Sequence, residues 1–268
     1  MKQPLRITAL FIFFISAYVQ ADIAVLVHGY HSTGNTWRAK GITSLLAANG
    51  WHDAGFYTPQ GNYAPYTNPL SNNGKYLVTA ELPSESPVEI QSDLLSQYLM
   101  DIMHKFPQQK IHIIAHSAGG IVARYSLVTL YQQNKVTNIS QLITISTPHF
   151  GSVIAEVAKR ASDTPMSIVA PLFGADEINR AEILYQQLGR EEKNEFLYWL
   201  NRQPHPPMQY ASIIRASGSF LDGDWLVPAA SQNMALVPVI GSNALVFLSS
   251  GDHHLKYSDG FLLLNLLP

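Results

Sequence analysis

The sequence predicts an α/β fold, a mostly parallel central sheet with helices on both faces, and three observations carry that reading. The runs at 23–27, 111–115 and 142–145 are apolar almost throughout instead of alternating, as strands buried on both faces require. Between such runs lie segments of helical period: Ile90, Leu94, Leu95, Tyr98, Leu99 and Ile102 recur three or four apart after Pro87. Strands and helices alternate along the first half of the chain, the pattern of parallel strands joined by crossover helices.

Composition narrows the function classes. The 268 residues, 47% hydrophobic and 13% charged, suffice for one substantial core. A formal net charge of −2 with no basic stripe gives no hint of a nucleic-acid partner, and no internal repeat is present. Cysteine is absent, which excludes disulfides and thiol catalysis.

Taken in order, the chain opens with Lys2 and Arg6, an apolar stretch at 7–19, and Val19-Gln20-Ala21 before Asp22. The basic start, an apolar segment short for a membrane span, and small residues at minus three and minus one fit an export signal cleaved after Ala21. Residues 1–21 are therefore expected to be a signal peptide, 22–268 one domain, and the protein periplasmic or secreted. The strand at 23–27 ends in His28-Gly29-Tyr30, whose glycine lets backbone N–H groups reach the carboxyl edge of the sheet, where open α/β folds bind ligands. Trp37 opens a helix that passes Leu45 and Leu46 and stops at Asn49-Gly50. The stretch 51–74, rich in Pro, Gly, Asn and Tyr, is expected to be an irregular surface loop. A strand from Tyr76 to Leu82, the helix after Pro87, the strand leading to Ser117, a second helix and a strand at 142–146 follow.

From Val153 to about Gln209 the alternation stops, and helical patterns follow one another without a strand. This predicts a helical cap or lid inserted at about 153–209. Regular order returns with a strand at 212–216, the loop Asp222-Gly223-Asp224-Trp225-Leu226-Val227-Pro228, and a last strand at 245–248. The loop Gly251-Asp252-His253-His254-Leu255 and a closing apolar helix or tail at 261–267 complete the chain.

The chemistry is expected at Ser117. An apolar strand stops at this serine and a helix starts directly behind it, with Ala115-His116-Ser117-Ala118-Gly119-Gly120 at the bend. A turn that sharp holds the serine in a strained conformation with its hydroxyl outward and tolerates only small neighbours, the logic of Gly-x-Ser-x-Gly with alanine at the first position. The helix behind aims its N–H groups and positive dipole end at the serine, which suits an anionic intermediate. A serine hydroxyl is a weak nucleophile at neutral pH and needs an imidazole to take its proton and a carboxylate to orient that imidazole. Candidates for both follow in the later loops, Asp224 or Asp222 for the acid and His254 or His253 for the base. Asp252, His253 and His254 lack a third partner at metal-ligand spacing, so no metal and no cofactor is assigned.

Together with the His28-Gly29-Tyr30 strand end, the Ser146-Thr147-Pro148-His149-Phe150-Gly151-Ser152 loop and Asp224-x-x-Val227-Pro228, the chain resembles the α/β-hydrolases of the bacterial lipase and esterase group over residues 23 to about 257. The resemblance favours Asp224, three before Val227-Pro228, over Asp222, and His254, three after Gly251, over His253. It also implies an oxyanion hole from the backbone N–H groups of Tyr30 and Ala118. His28, His116 and His149 are expected to orient loops. The expected function is hydrolysis of lipid or other hydrophobic acyl esters, with transient contact at lipid surfaces. An acyltransferase with the same residues and a non-catalytic binding protein on the same scaffold are the alternatives.

Overall fold

The computed structural model describes residues 22–58, 61–63, 70–71, 73–153, 155, 181–216 and 223–268. The expected signal peptide, much of the 153–209 insertion and Asp222 lie outside the described residues.

Eight strands form one sheet in the order β3-β2-β4-β1-β5-β6-β7-β8. They are β1 (Asp22–Val27), β2 (Trp51–Thr58), β3 (Gly61–Tyr63), β4 (Lys75–Ala80), β5 (Lys110–His116), β6 (Ile139–Ile145), β7 (Gln209–Arg215) and β8 (Ala244–Ser249). All neighbours pair in parallel except the short edge strand β3, which runs antiparallel to β2. The described helices are α1 (Asn35–Ala39), α2 (Ile42–Ala47), α3 (Val88–Lys105), α4 (Ala118–Gln132), α5 (Glu182–Gln187), α6 (Phe196–Leu200), α7 (Ala229–Gln232) and α8 (Asp259–Leu266). These findings establish the expected mostly parallel α/β sheet flanked by helices.

The two-residue period of β1 divides the core. Ile23, Val25 and Val27 pack with α3 and α4, whereas Ala24 and Leu26 pack with Trp37, Ile42 and Leu46 of α1 and α2 and Leu263 of α8. Every residue of β1 is buried, so the strand reads as an unbroken apolar run after Asp22. The chain leaves β1 toward β2 on one side and later crosses by α3 to β5 on the other. The loops after β1 and β5 therefore flank the point where strand order reverses, where a crevice opens beyond the strand ends.

Two expectations need correction. The stretch 51–58 is strand, not irregular loop. His52, Asp53 and Gly55 interrupt its apolar pattern because the pairing of β2 with β4 shifts register between Asp53 and Phe56. Gly55 takes φ 83° there, and Arg38 holds the irregularity by donating to both oxygens of Asp53 and to the Gly55 carbonyl. The helix expected from Trp37 is two helices, broken at Gly41 with φ 72° where the Tyr257 ring lies against the backbone. Between β6 and β7 the described residues hold helices α5 and α6.

Candidate active site

Ser117 sits between β5 and α4 at φ 53°, ψ −131°, a backbone region that non-glycine residues seldom occupy. The small residues behind it are required by contact. A Cβ on Gly119 would come 2.2 Å from the His28 carbonyl oxygen, and one on Gly120 would come 2.1 Å from Thr147 Oγ1. The β1 loop and the β6 loop thus close on the turn from either side. The Ser117 N–H donates to the Ile145 carbonyl at 2.9 Å, tying the turn to the neighbouring strand.

His253 Nε2 lies 2.7 Å from Ser117 Oγ, and His253 Nδ1 lies 2.8 Å from Asp224 Oδ2. A carboxylate only accepts, so Nδ1 carries the proton and Nε2 is left to accept from the serine hydroxyl. Asp224 is itself fixed: Oδ1 accepts from the N–H groups of Leu226 and Val227 at 2.9 and 2.7 Å, and Oδ2 from Gln232 Nε2 at 3.2 Å. Such a chain can draw the proton off the serine as its oxygen attacks a carbonyl.

The imidazole in this position belongs to His253, the alternative base in the sequence, and the structure does not bring His254 to Ser117. His116 Nε2 contacts the carbonyl of residue 253 at 2.8 Å, while Arg215 donates to the carbonyls of Asp252 and His254, each at 2.9 Å. These contacts fix the peptide groups on either side of His253, whose imidazole reaches Ser117. His253 is buried and His254 is exposed at the cavity rim.

Tyr30 and Ala118 both line the cavity beside Ser117. His28 fixes the loop that carries Tyr30, with Nδ1 donating to the Gly29 carbonyl and Nε2 accepting from the Leu82 N–H at 3.2 Å. Burial pushes the His28 pKa down and keeps the ring neutral, consistent with one donating and one accepting nitrogen. His116 is likewise driven well below its ordinary value, first by burial and then by the nearby His253. His149 bridges Arg124 and Thr144 beneath the β6 loop. These three histidines orient loops.

The cavity in front of Ser117 has a volume of about 460 Å³. Leu184, Leu188, Ala155 and Leu226 give it an apolar lining, and His31, Ser32, Thr36 and Lys40 a polar one. Tyr185 of α5 donates its hydroxyl to that of Tyr30 at 2.9 Å, so the β6–β7 helices touch the β1 loop directly. Among the described residues no three His, Asp or Glu side chains converge as metal ligands would. The sequence reading missed Arg215 and Arg124. Both are wholly buried cations within apolar runs, and a charge so placed was the available signal.

A family model described as "Putative serine esterase (DUF676)" matches residues 19–204. The chain belongs to this family. Its fold is that of the α/β-hydrolases. Triacylglycerol lipase 2 of Saccharomyces cerevisiae is 32% identical over 91 residues, covering 32% of this chain and 27% of the yeast protein. The match thus spans about a quarter of that relative's length. Among solved structures, the mature Bacillus licheniformis lipase BlEst2 superposes with TM-score 0.59 at 18% identity, covering 93% of this chain and 92% of the lipase. The lin2722 product of Listeria innocua gives TM-score 0.55 at 13% identity, covering 87% of each chain. These likenesses establish the fold of the chain.

Proposed function

We propose that the protein hydrolyses carboxylic esters of hydrophobic acyl groups, including lipid esters, through an acyl-enzyme on Ser117. The observation that carries this reading is the chain Ser117 Oγ to His253 Nε2 at 2.7 Å and His253 Nδ1 to Asp224 Oδ2 at 2.8 Å, facing a cavity with an apolar wall. His253 takes the serine proton as Oγ attacks the ester carbonyl, and Asp224 holds the tautomer and offsets the imidazolium charge. The N–H groups of Tyr30 and Ala118 receive the oxyanion, each such donor contributing about 3 kcal/mol. Collapse of the tetrahedral intermediate passes the proton to the departing alcohol. Water activated by the same imidazole then releases the acid.

The acyl chain lies along Leu184 and Leu188, and the alcohol portion faces the polar rim at Ser32 and Lys40. The helices between β6 and β7 serve as the cap. The lipase names of the yeast and Bacillus relatives favour a lipid ester. The test is hydrolysis of p-nitrophenyl esters of increasing chain length by wild type and Ser117→Ala. Turnover should fall by roughly 10⁶-fold in the variant, as when a triad member is lost; unchanged turnover would overturn the reading. We propose also that the protein is exported and cleaved after Ala21, supported by the basic start, the apolar stretch at 7–19 and the small residues Val19 and Ala21. Amino-terminal sequencing of protein from the cell envelope or medium should return Asp22 first, and an uncleaved Met1 would refute it.

A further inference from the structure

We infer that Arg215 is a positioning residue for the reaction: its guanidinium, with His116, sets the direction of the peptide groups around His253 and so decides which imidazole reaches Ser117. The inference rests on the triad proposed above and assigns a role to a residue outside it. Arg215 is the last residue of β7, wholly buried at the end of an apolar strand. All five of its N–H groups are used. Nε donates to the Asp252 carbonyl at 2.9 Å and Nη2 to the His254 carbonyl at 2.9 Å. Nη1 donates to Ser249 Oγ at 2.9 Å, and both Nη atoms donate to the Asp259 carboxylate at 2.7 Å.

This arrangement answers a problem of the loop. Residues 252–254 carry the base across the end of the sheet, away from any strand partner, and their carbonyls must be satisfied. One planar fork takes the first and third, and His116 takes the second at 2.8 Å from the opposite side. The cation this requires in a buried place is neutralised by Asp259, which also accepts the Lys256 N–H at 2.8 Å at the start of α8. Guanidinium geometry is essential here. An ammonium has three donors on a single point and cannot span two carbonyls, a serine and both oxygens of a carboxylate at once.

A purely structural ion pair would lower stability when altered but leave turnover of the folded enzyme intact. The test is therefore Arg215→Lys, with Leu263→Ala as a control that removes buried side chain from α8 and leaves the Arg215 hydrogen bonds in place. Measured on p-nitrophenyl butyrate with folded protein, Arg215→Lys should lose on the order of 10- to 100-fold in kcat with KM nearly unchanged, because acyl contacts persist while proton transfer is misaligned. Labelling of Ser117 by a fluorophosphonate should slow by a similar factor. Leu263→Ala should lower Tm and change neither rate. Wild-type kcat and labelling rate in folded Arg215→Lys overturn the inference. Should Arg215→Lys not fold, His116→Leu tests the other half of the clamp. The same loss in kcat is expected, and wild-type kcat again overturns the inference. Ser117→Ala assayed alongside separates the two readings, since turnover surviving in it refutes the triad itself and not the clamp alone.

Discussion

A β-carbon on Gly29 would stand 2.9 Å from the Cβ of Ser117 and 3.1 Å from the carbonyl oxygen of His116, so the β1 loop meets the serine turn at a position where only hydrogen fits. The loop carries Tyr30, whose N–H is proposed to receive the oxyanion. Gly29→Ala forces it back by a few tenths of an ångström, while Leu184 and Leu188 on the acyl wall are untouched. The expected result is a fall in kcat of about 10- to 100-fold, within the worth of one oxyanion donor, and little change in KM. Steady-state kinetics on p-nitrophenyl butyrate check it, and a variant with raised KM and intact kcat would contradict the account.

The neighbouring histidines should separate cleanly by mutation. His253→Ala removes the ring that lies 2.7 Å from Ser117 Oγ and should reduce kcat by roughly 10⁴-fold or more. His254→Ala removes an exposed side chain at the cavity rim and should cost about 5-fold at most, the scale of about 1 kcal/mol in binding. A reversal of the two losses would restore the assignment that motif spacing favours.

That spacing and the geometry favour different histidines for a physical reason. Gly251-x-x-His counts residues along the chain, whereas the inward direction at 253 is set by Arg215 and His116, which lie 38 and 137 residues away in sequence. No local pattern encodes it. The serine turn was legible because its constraints are local: an apolar strand, small residues at 118–120, and a helix at once. Asp224 was legible through its own loop, since the N–H groups of Leu226 and Val227 that hold it are two and three residues on. Strand β2, next to the edge strand β3, hid for the opposite reason to β1: with a register shift at Gly55 and a tie to Arg38, it carries polar residues that a central strand would not.

Stability should fall steeply in mild acid. Burial holds His28, His112, His116, His149 and His205 below the ordinary 6.5, with His205 pushed down to about 3 by burial and then by Arg124. Unfolded, these rings protonate near pH 6.5; folded, they stay neutral below it. The unfolded chain therefore binds more protons in this window, so the stabilisation is complete above pH 6.5 and is lost as pH drops toward the folded values. Each such histidine contributes a slope of about 1.4 kcal/mol per pH unit. Urea midpoints measured from pH 7.5 to 4.5 should decline with a slope of about two protons or more. A flat profile to pH 5 would contradict the burial of neutral imidazoles.

Arg124 sharpens that test because it sits among these rings as a cation. It is wholly buried behind Ser117, with Nε donating to His205 Nε2 and Nη1 paired with His149 Nδ1, each at 3.2 Å, and its pKa is driven down to about 9 by burial. Among the described residues no carboxylate bonds it and Nη2 has no partner, so its charge is poorly compensated and repels protons from both imidazoles. Arg124→Met removes that repulsion. The folded pKa of His205 and of His149 should then rise toward 6.5, narrowing the gap between folded and unfolded states. Less stability is lost in acid, and the urea midpoint of the variant should fall more gently than wild type between pH 6.5 and 4.5. Near pH 7.5 the lost contacts and the relieved desolvation oppose each other, leaving a change of about 1 kcal/mol of either sign. The decisive quantity is the slope: a variant whose midpoint falls as steeply with acid as that of the wild type would show that Arg124 does not set the protonation of the histidines beside it.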